Sequence, residues 1–380
     1  MTSAKHSYDV IIVGAGPAGA TLGYELSKKG VDVLILEKEK LPRYKACGGA
    51  VTPKSVRLLG CDIGPVTRGL ITGARVSYKL GKPFVKRYHN PIAYMVMRDE
   101  FDQFLVSRAR EAGSSVADAR GVLSVQAMEG RVGVSTAGGE LTAKIVVGAD
   151  GATSVVAKSL GSDSDRELGV AMEAEVAVSK KDLARWDSLA GIDLGSLRGG
   201  YGWVFPKKDH LSVGVGAPIK RAKGLPSYHK RLLQSLNLEK CRITNLKGHS
   251  LPVRRPGAPL YGDGVILLGD AAGLLDPLSG EGIYNAIKSA QLAAPVITEQ
   301  LTSSQVDLSE YQRAVEAEIL PELRIAKRMH TLFSWFPHLG FFVLKRNNRV
   351  WRASCGVASG DRNYASLRKR LGLVKFVLGT

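Results

Sequence analysis

The sequence predicts an α/β fold, in which a parallel sheet is interleaved in chain order with an antiparallel sheet and followed by a helical C-terminal region. Three observations predict it. Residues 8–37 read as strand, glycine turn, helix, strand. Short apolar runs at 10–13 and 145–149 have the character of buried parallel strands, and further strands are read at 32–36 and 265–268. Between them, residues 70–97 alternate apolar and polar, and 166–218 form a second β-rich stretch.

The first turn is Gly14-Ala15-Gly16-Pro17-Ala18-Gly19. Gly14 permits the tight turn, Gly16 lets backbone approach a pyrophosphate, and Gly19 lets helix pack on strand. The helix that follows presents free N–H groups and its positive dipole end to phosphates. The strand at 32–36 ends in Glu37, an acceptor suited to a ribose 2′-OH. Strand, turn, helix, strand and acid in this order predict a dinucleotide site.

Residues 38–50 are basic and turn-rich and tighten into Cys47-Gly48-Gly49. Adjacent glycines mark backbone that bends sharply or approaches something closely. A helix is predicted around 52–59, then strands at 73–80, 83–89 and 93–97. From Arg98 to 112 the helical period appears in Phe101, Phe104, Leu105 and Ala109. Two short strands follow at 121–127 and 132–135, and 145–149 returns the chain to the first sheet, ending in Gly148-Ala149-Asp150-Gly151.

In the second β-rich stretch, strands are predicted at 170–178 and 211–216. Between them, Tyr201, Trp203 and Phe205 recur at period two and share one strand face, which suits core packing and a ligand wall equally. A strand at 265–268 leads to Gly269-Asp270, and Pro277–Gly282 opens a helix over 283–299.

At 380 residues the chain can bury a large core and form two lobes. Its 44% hydrophobic content is that of a soluble globular protein, and without a run of 18 apolar residues no spanning helix is expected. The short polar N-terminus predicts no signal peptide. Cys47, Cys61, Cys241 and Cys355 are widely spaced and form no zinc pattern, pointing to a reducing, cytoplasmic compartment. A net charge of +18 favours anionic partners, but no nucleic-acid motif accompanies it, so no nucleic acid is expected. Residues 321–380 carry twelve Lys and Arg against two Asp and Glu. Within them, 331–345 holds Phe333, Trp335, Phe336, Phe341 and Phe342. That stretch is too short to span a bilayer; it fits either a membrane interface or packing on the core.

Taken together, the Gly14–Gly19 turn, Gly148-Ala149-Asp150-Gly151, and Gly269-Asp270-Ala271-Ala272-Gly273 with Gly280-Glu281-Gly282 resemble the flavoprotein hydroxylase-like superfamily, which binds FAD. Cys47-Gly48-Gly49-Ala50, Tyr201-Gly202-Trp203-Val204-Phe205-Pro206-Lys207 and Ser279-Gly280-Glu281-Gly282-Ile283-Tyr284 resemble its geranylgeranyl reductase branch. The resemblance covers residues 6–300. It implies a Rossmann-type FAD-binding domain at 6–70, 98–160 and 261–300, an antiparallel-sheet substrate domain at 71–97 and 161–260, and a helical region at 301–380.

The resemblance also implies roles. Gly14, Gly16, Ala18 and Gly19 would hold the pyrophosphate, Glu37 the adenosine ribose, and Arg98 the pyrophosphate region. Val122 backbone would meet adenine, and Asp270 a ribityl or ribose hydroxyl. Gly282 and Ile283 would face the flavin pyrimidine edge, with Cys47, Gly48 and Ala50 beside the isoalloxazine. Asp150 fits either flavin contact or a structural loop. Tyr201, Trp203 and Phe205 would line a prenyl tunnel. Cys47, an ordered water or Tyr201 would supply a proton, although an inert buried thiol fits Cys47 as well.

The implied activity is FAD-dependent saturation of carbon–carbon double bonds in geranylgeranyl or other isoprenoid chains of a lipid, pigment precursor or quinone. The alternative on the same fold is monooxygenation of an aromatic or terpenoid; Cys47-Gly48-Gly49 favours the reductase. With a single G-x-G-x-x-G, electrons would come from transiently bound NAD(P)H or from a protein such as ferredoxin. The basic C-terminal region would make peripheral contact with anionic membrane at its inner face, where such a substrate lies.

Overall fold

A computed structural model describes residues 5–162 and 166–370. The chain divides into two compact units: one from residues up to Tyr44 with Asp99–Glu167 and Pro252–Pro321, the other from Lys45–Arg98, Leu168–Leu251 and the residues from Glu322 onward.

Unit 1 is built on an eight-stranded sheet. Its main path runs Tyr261–Gly262, Val265–Leu267, Gly139–Gly148, Ser7–Val13, Val33–Leu36, Ser115–Ala117. All neighbours on it after the first pair are parallel. Val10, Ile11 and Ile12 are wholly buried, because crossover helices cover a parallel sheet on its faces and leave no side for water. Helix Pro17–Ser27 packs against helix Ile283–Gln300. Gly139–Gly148 extends beyond the expected apolar run. Its first half pairs antiparallel with Arg131–Thr136, which pairs in turn with Val122–Met128. Helix Arg98–Glu111 buries Phe101, Leu105 and Ala109 at the expected period.

Unit 2 holds a seven-stranded sheet in the order Ile243–Arg254, Arg166–Ala177, His210–Pro218, Tyr201–Pro206, Leu189–Leu194, Gly73–Tyr78, Phe84–Arg87. From Arg166–Ala177 to Leu189–Leu194 the pairs are antiparallel, whereas Leu189–Leu194 runs parallel to Gly73–Tyr78. Those two strands come from separate excursions of the chain, so no hairpin fixes their relative direction. One sheet face, with Val204, Val213 and Val215, forms an apolar core with Tyr228 and Leu232 of helix Leu225–Ser235. A three-stranded sheet pairs Ala50–Val51 and Thr67–Ile71 with Ala93–Val96. These pairings tie residues 45–70, which chain order groups with the first nucleotide segment, to unit 2.

The described C-terminal residues form helices Leu320–Trp335, Pro337–Arg346, Asn348–Ser359 and Tyr364–Arg370. Their aromatic residues divide between two environments. Phe341 packs on Tyr78 and Phe84, at ring centroid separations of 5.8 and 5.3 Å. Trp335, Phe336 and Phe342 are exposed. Residues 371–380 of the basic tail lie outside the described residues. No helix among the described residues is long and apolar enough to cross a membrane.

Candidate functional site

In unit 1 the three glycine turns expected to act together are brought into contact. Gly14 leaves the first strand at φ +104°, a left-handed conformation that disfavours any side chain, and a Cβ there would collide with the Ala149 carbonyl. A Cβ on Gly19 would collide with the Gly14 carbonyl oxygen, so the helix sits directly on the turn. Gly269 of the third turn lies against Ala18 and Ala286; a Cβ on it would be 3.5 Å and 3.2 Å from their Cβ atoms. Gly16 differs from these. The nearest atom to a Cβ there is Arg43 Nη2 at 3.7 Å, which leaves its backbone open to a ligand. Gly16 is the N-cap of helix Pro17–Ser27, and no side chain caps that terminus. A close-packed cradle with one open glycine at an uncapped helix N-terminus fits a dinucleotide pyrophosphate.

Glu37 stands at the end of Val33–Leu36 and is buried. Its carboxylate already accepts from Ala15 N–H at 3.1 Å and Glu39 N–H at 3.2 Å, and pairs with Arg43 Nε at 3.1 Å. Arg43 in turn donates to Asp102, a fully buried carboxylate, at 2.9 Å. Arg43 thus stands over the glycine turn, a residue hidden in the sequence among four cations of one basic loop. Val122 begins the strand that meets Thr136 at a shift of register, and nearby Arg120 N–H donates to the Glu37 carbonyl at 2.8 Å.

One carboxylate oxygen of Asp150 accepts from Val155 N–H at 2.7 Å, at the start of the short helix Val155–Ser159 that Ser154 caps. Its other oxygen is buried without a hydrogen-bond partner. Burial pushes its pKa up against the pull of Ser154 and the Val155 amide. Asp270 lies in the turn Gly269–Ala272, and its Oδ1 is 3.0 Å from the place a Cβ on Gly282 would occupy. Ile283 opens helix Ile283–Gln300, again without a side-chain cap. The turn before it is shaped by Asp276, which accepts from Leu278 and Ser279 N–H at 2.8 and 3.2 Å.

Unit 2 assembles the other group. Tyr201, Trp203 and Phe205 share one sheet face, with successive ring centroids 5.9 and 6.3 Å apart. Gly214, cross-strand from Trp203, gives the indole its space. The Cys47–Gly49 turn lies on this strip: a Cβ on Gly48 would be 2.7 Å from the Phe205 ring and 3.1 Å from Trp203 Nε1. Cys47 is half-buried and unpaired in any disulfide, and its Sγ accepts from Gly49 N–H at 3.4 Å. Ala50 begins the short strand that pairs with Met95. Arg98 is buried at the first position of its helix.

The same face carries a buried ionic cluster. Glu173 accepts from Cys47 N–H at 2.7 Å. Glu175 is 3.2 Å from Lys207 Nζ and 2.8 Å from His210 Nε2, and His210 Nδ1 is 2.6 Å from exposed Asp209. Burial works against charge on Glu175, but the His210 hydrogen bond and the Lys207 charge outweigh it and hold its pKa below the usual value. For His210, burial is likewise outweighed, by Glu175 and Asp209, and the pKa is raised. The signal was present in the sequence: Glu173 and Glu175 at period two within the otherwise apolar run 170–178.

The FAD binding domain family matches residues 7–193. The chain is 31% identical over 331 residues to a chloroplastic geranylgeranyl diphosphate reductase of Nicotiana tabacum, covering 81% of this chain and 70% of that protein. It is 30% identical over 325 residues to the digeranylgeranylglycerophospholipid reductase of Methanocaldococcus jannaschii, covering 80% and 81%. Among solved structures, a geranylgeranyl bacteriochlorophyll reductase-like protein of Thermoplasma acidophilum superposes with a TM-score of 0.77 at 23% identity, over 98% of this chain and 100% of that one. The flavin-dependent brominase Bmp2 superposes with a TM-score of 0.74 at 22% identity, over 97% and 99%, so the two share the fold.

Proposed function

Since the chain belongs to the geranylgeranyl reductase family of FAD-dependent oxidoreductases, we propose that it saturates double bonds of geranylgeranyl chains carried on a lipid or diphosphate. The observation that carries this reading is the Cys47–Gly49 turn pressed onto the rings of Trp203 and Phe205, which joins the two motifs of the reductase branch. FAD supplies the hydride chemistry when bound. The Gly14–Gly19 cradle, Glu37 and Arg43 would hold its adenosine and pyrophosphate portion.

An isolated prenyl double bond has no carbonyl to absorb charge. The faces of Tyr201, Trp203 and Phe205 would stabilise positive charge developing on it and keep water away. We assign Cys47, whose turn lies against this strip at Gly48, to holding the proton that completes saturation.

Dithionite-reduced protein, free of oxygen, should convert geranylgeranyl diphosphate or a geranylgeranyl ether lipid to products heavier by pairs of hydrogens in mass spectrometry. A product that forms only when oxygen is admitted would replace this reading with monooxygenation.

The membrane contact belongs to the same proposal. Trp335, Phe336, Leu339 and Phe342 are 64, 57, 46 and 48% exposed, an unusual concentration of large apolar side chains on one short stretch. Cations flank them: Arg198 lies 3.7 Å over the Trp335 ring and Arg346 5.7 Å over that of Phe342. Apolar rings with a cationic rim suit an anionic bilayer, where each cation adds about 1 kcal/mol. The protein should therefore sediment with anionic liposomes and less with neutral ones, and Phe336→Ser with Phe342→Ser should weaken this severalfold. Equal binding to both liposomes would count against it.

A further inference from the structure

Four ionisable side chains, Glu173, Glu175, Lys207 and His210, meet on one face of the unit 2 sheet, and the first three are at most 5% exposed. Such a cluster is a poor source of stability. Taking charges out of water costs several kcal/mol per ion, and apolar residues of similar size often serve as well or better. The opposite face of the same sheet is the apolar core with Tyr228 and Leu232, so a conventional way of holding these strands is already present.

The cluster surrounds one piece of backbone. Glu173 meets it at Cys47 N–H, at 2.7 Å, a charge-assisted bond. Lys207 Nζ would be 3.4 Å from a Cβ on Gly49, whose φ of +73° marks the sharp end of the turn. Behind Lys207 stands Glu175, and behind Glu175 stands His210. Beneath the turn are the Trp203 and Phe205 rings, and Trp203 Nε1, buried without an acceptor, points toward Gly48. The turn belongs to no strand or helix before Ala50, so its place is fixed by these contacts and by the Val96 N–H bond to the Gly49 carbonyl.

Glu173 and Glu175 alternate on Arg166–Ala177, and they register with Gly214 and Ser212, which in turn register with Trp203 and Phe205. Each carboxylate therefore shares a cross-strand row with one ring of the aromatic strip. The rows fix where the charges stand relative to the rings, and Glu173 meets the Cys47 amide from there.

We propose that Glu173 is a positioning residue: its carboxylate on the Cys47 amide, with Lys207 beside Gly49, holds the turn against the aromatic strip and thereby sets where the Cys47 thiol stands. This rests on reading the strip as the isoprenoid site, but the positioning itself can be measured without a substrate. The FAD-loaded protein and its Glu173→Leu, Glu173→Gln and Lys207→Met variants are alkylated with iodoacetamide, and labelling of Cys47 is expressed relative to Cys61 by peptide mass spectrometry. Leucine removes the acceptor, so the ratio should rise about tenfold, the effect of losing one charged hydrogen bond. Glutamine keeps an acceptor oxygen and should hold the ratio within about twofold of wild type. Lys207→Met should raise it too.

Turnover should split the same way, with kcat falling for leucine and largely rescued by glutamine while KM holds. A labelling ratio unchanged in both Glu173→Leu and Lys207→Met overturns the proposal, including where either variant loosens the whole unit and both thiols react faster together. A shifted ratio in a protein that saturates no prenyl substrate would retain the positioning role and discard the reductase reading.

Discussion

Gly19→Ala protein should purify nearly colourless, with FAD affinity reduced at least about 100-fold, or about 2.7 kcal/mol. The new methyl would collide with the Gly14 carbonyl, and neither atom has room to yield. Gly14 is pinned from the other side by Ala149 and Asp150, whose Cα would be 2.9 Å from a Cβ on Gly14. The helix must therefore lift from the turn, which displaces the cradle and loosens the packing of Pro17–Ser27 on the sheet. The apo protein should melt earlier as well.

Gly16→Ala provides the contrast. Its Cβ has 3.7 Å to its nearest neighbour, so the apo protein should melt like the wild type while FAD is still lost, because the methyl occupies the approach of the pyrophosphate. The measurements are flavin released on denaturation, per chain, and the melting temperature of each apo protein. Full FAD content in Gly16→Ala would remove the pyrophosphate from this turn.

Glu175→Leu should cost about 3–5 kcal/mol, because buried Lys207 loses its carboxylate and half-buried His210 loses one of its two. For a unit of this size that lowers Tm by roughly 10 °C, at about 2–4 °C per kcal/mol. Adding Lys207→Met should restore part of it, since the cation that was stranded is then absent. A melting temperature unchanged by Glu175→Leu would show that the cluster is solvated.

The pH dependence of this loss follows from the two shifts. His210 has a folded pKa raised above 6.5, so its contribution is whole below 6.5 and fades as pH rises through the folded value. Glu175 has a folded pKa lowered below 4.5, so its contribution is present above 4.5 and fades as pH falls through the folded value. The groups facing this pair are Lys207, in the turn after Tyr201–Pro206, and Asp209, itself under the influence of Arg68. The Tm gap between wild type and Glu175→Leu should therefore be widest between 4.5 and 6.5 and narrow on the alkaline side first as His210 loses its proton.

Chain-local chemistry made much of the molecule readable. The first strand, its glycine turn and Glu37 lie within one βαβ unit, where burial on both faces and a turn that tolerates no Cβ at Gly14 or Gly19 leave few residue choices. Helix Arg98–Glu111 and the single-face placement of Tyr201, Trp203 and Phe205 follow from periods of 3.6 and 2. Strands such as Ser115–Ala117 and Leu189–Leu194 were not readable. The first is too short to carry a period, and the second takes its partner from a distant excursion of the chain.

By itself, then, the sequence determined that three glycine turns exist, that a parallel sheet presents them and that an aromatic strip stands on another strand. Tertiary structure decided which charges serve them. Arg43 became the partner of Asp102 and Glu173 the partner of the Cys47 amide, through contacts spanning 59 residues in the first case and 126 in the second. A turn or a period is enforced by neighbours along the chain, whereas the partner of a buried charge is whichever opposite group the folded sheet brings within hydrogen-bond reach.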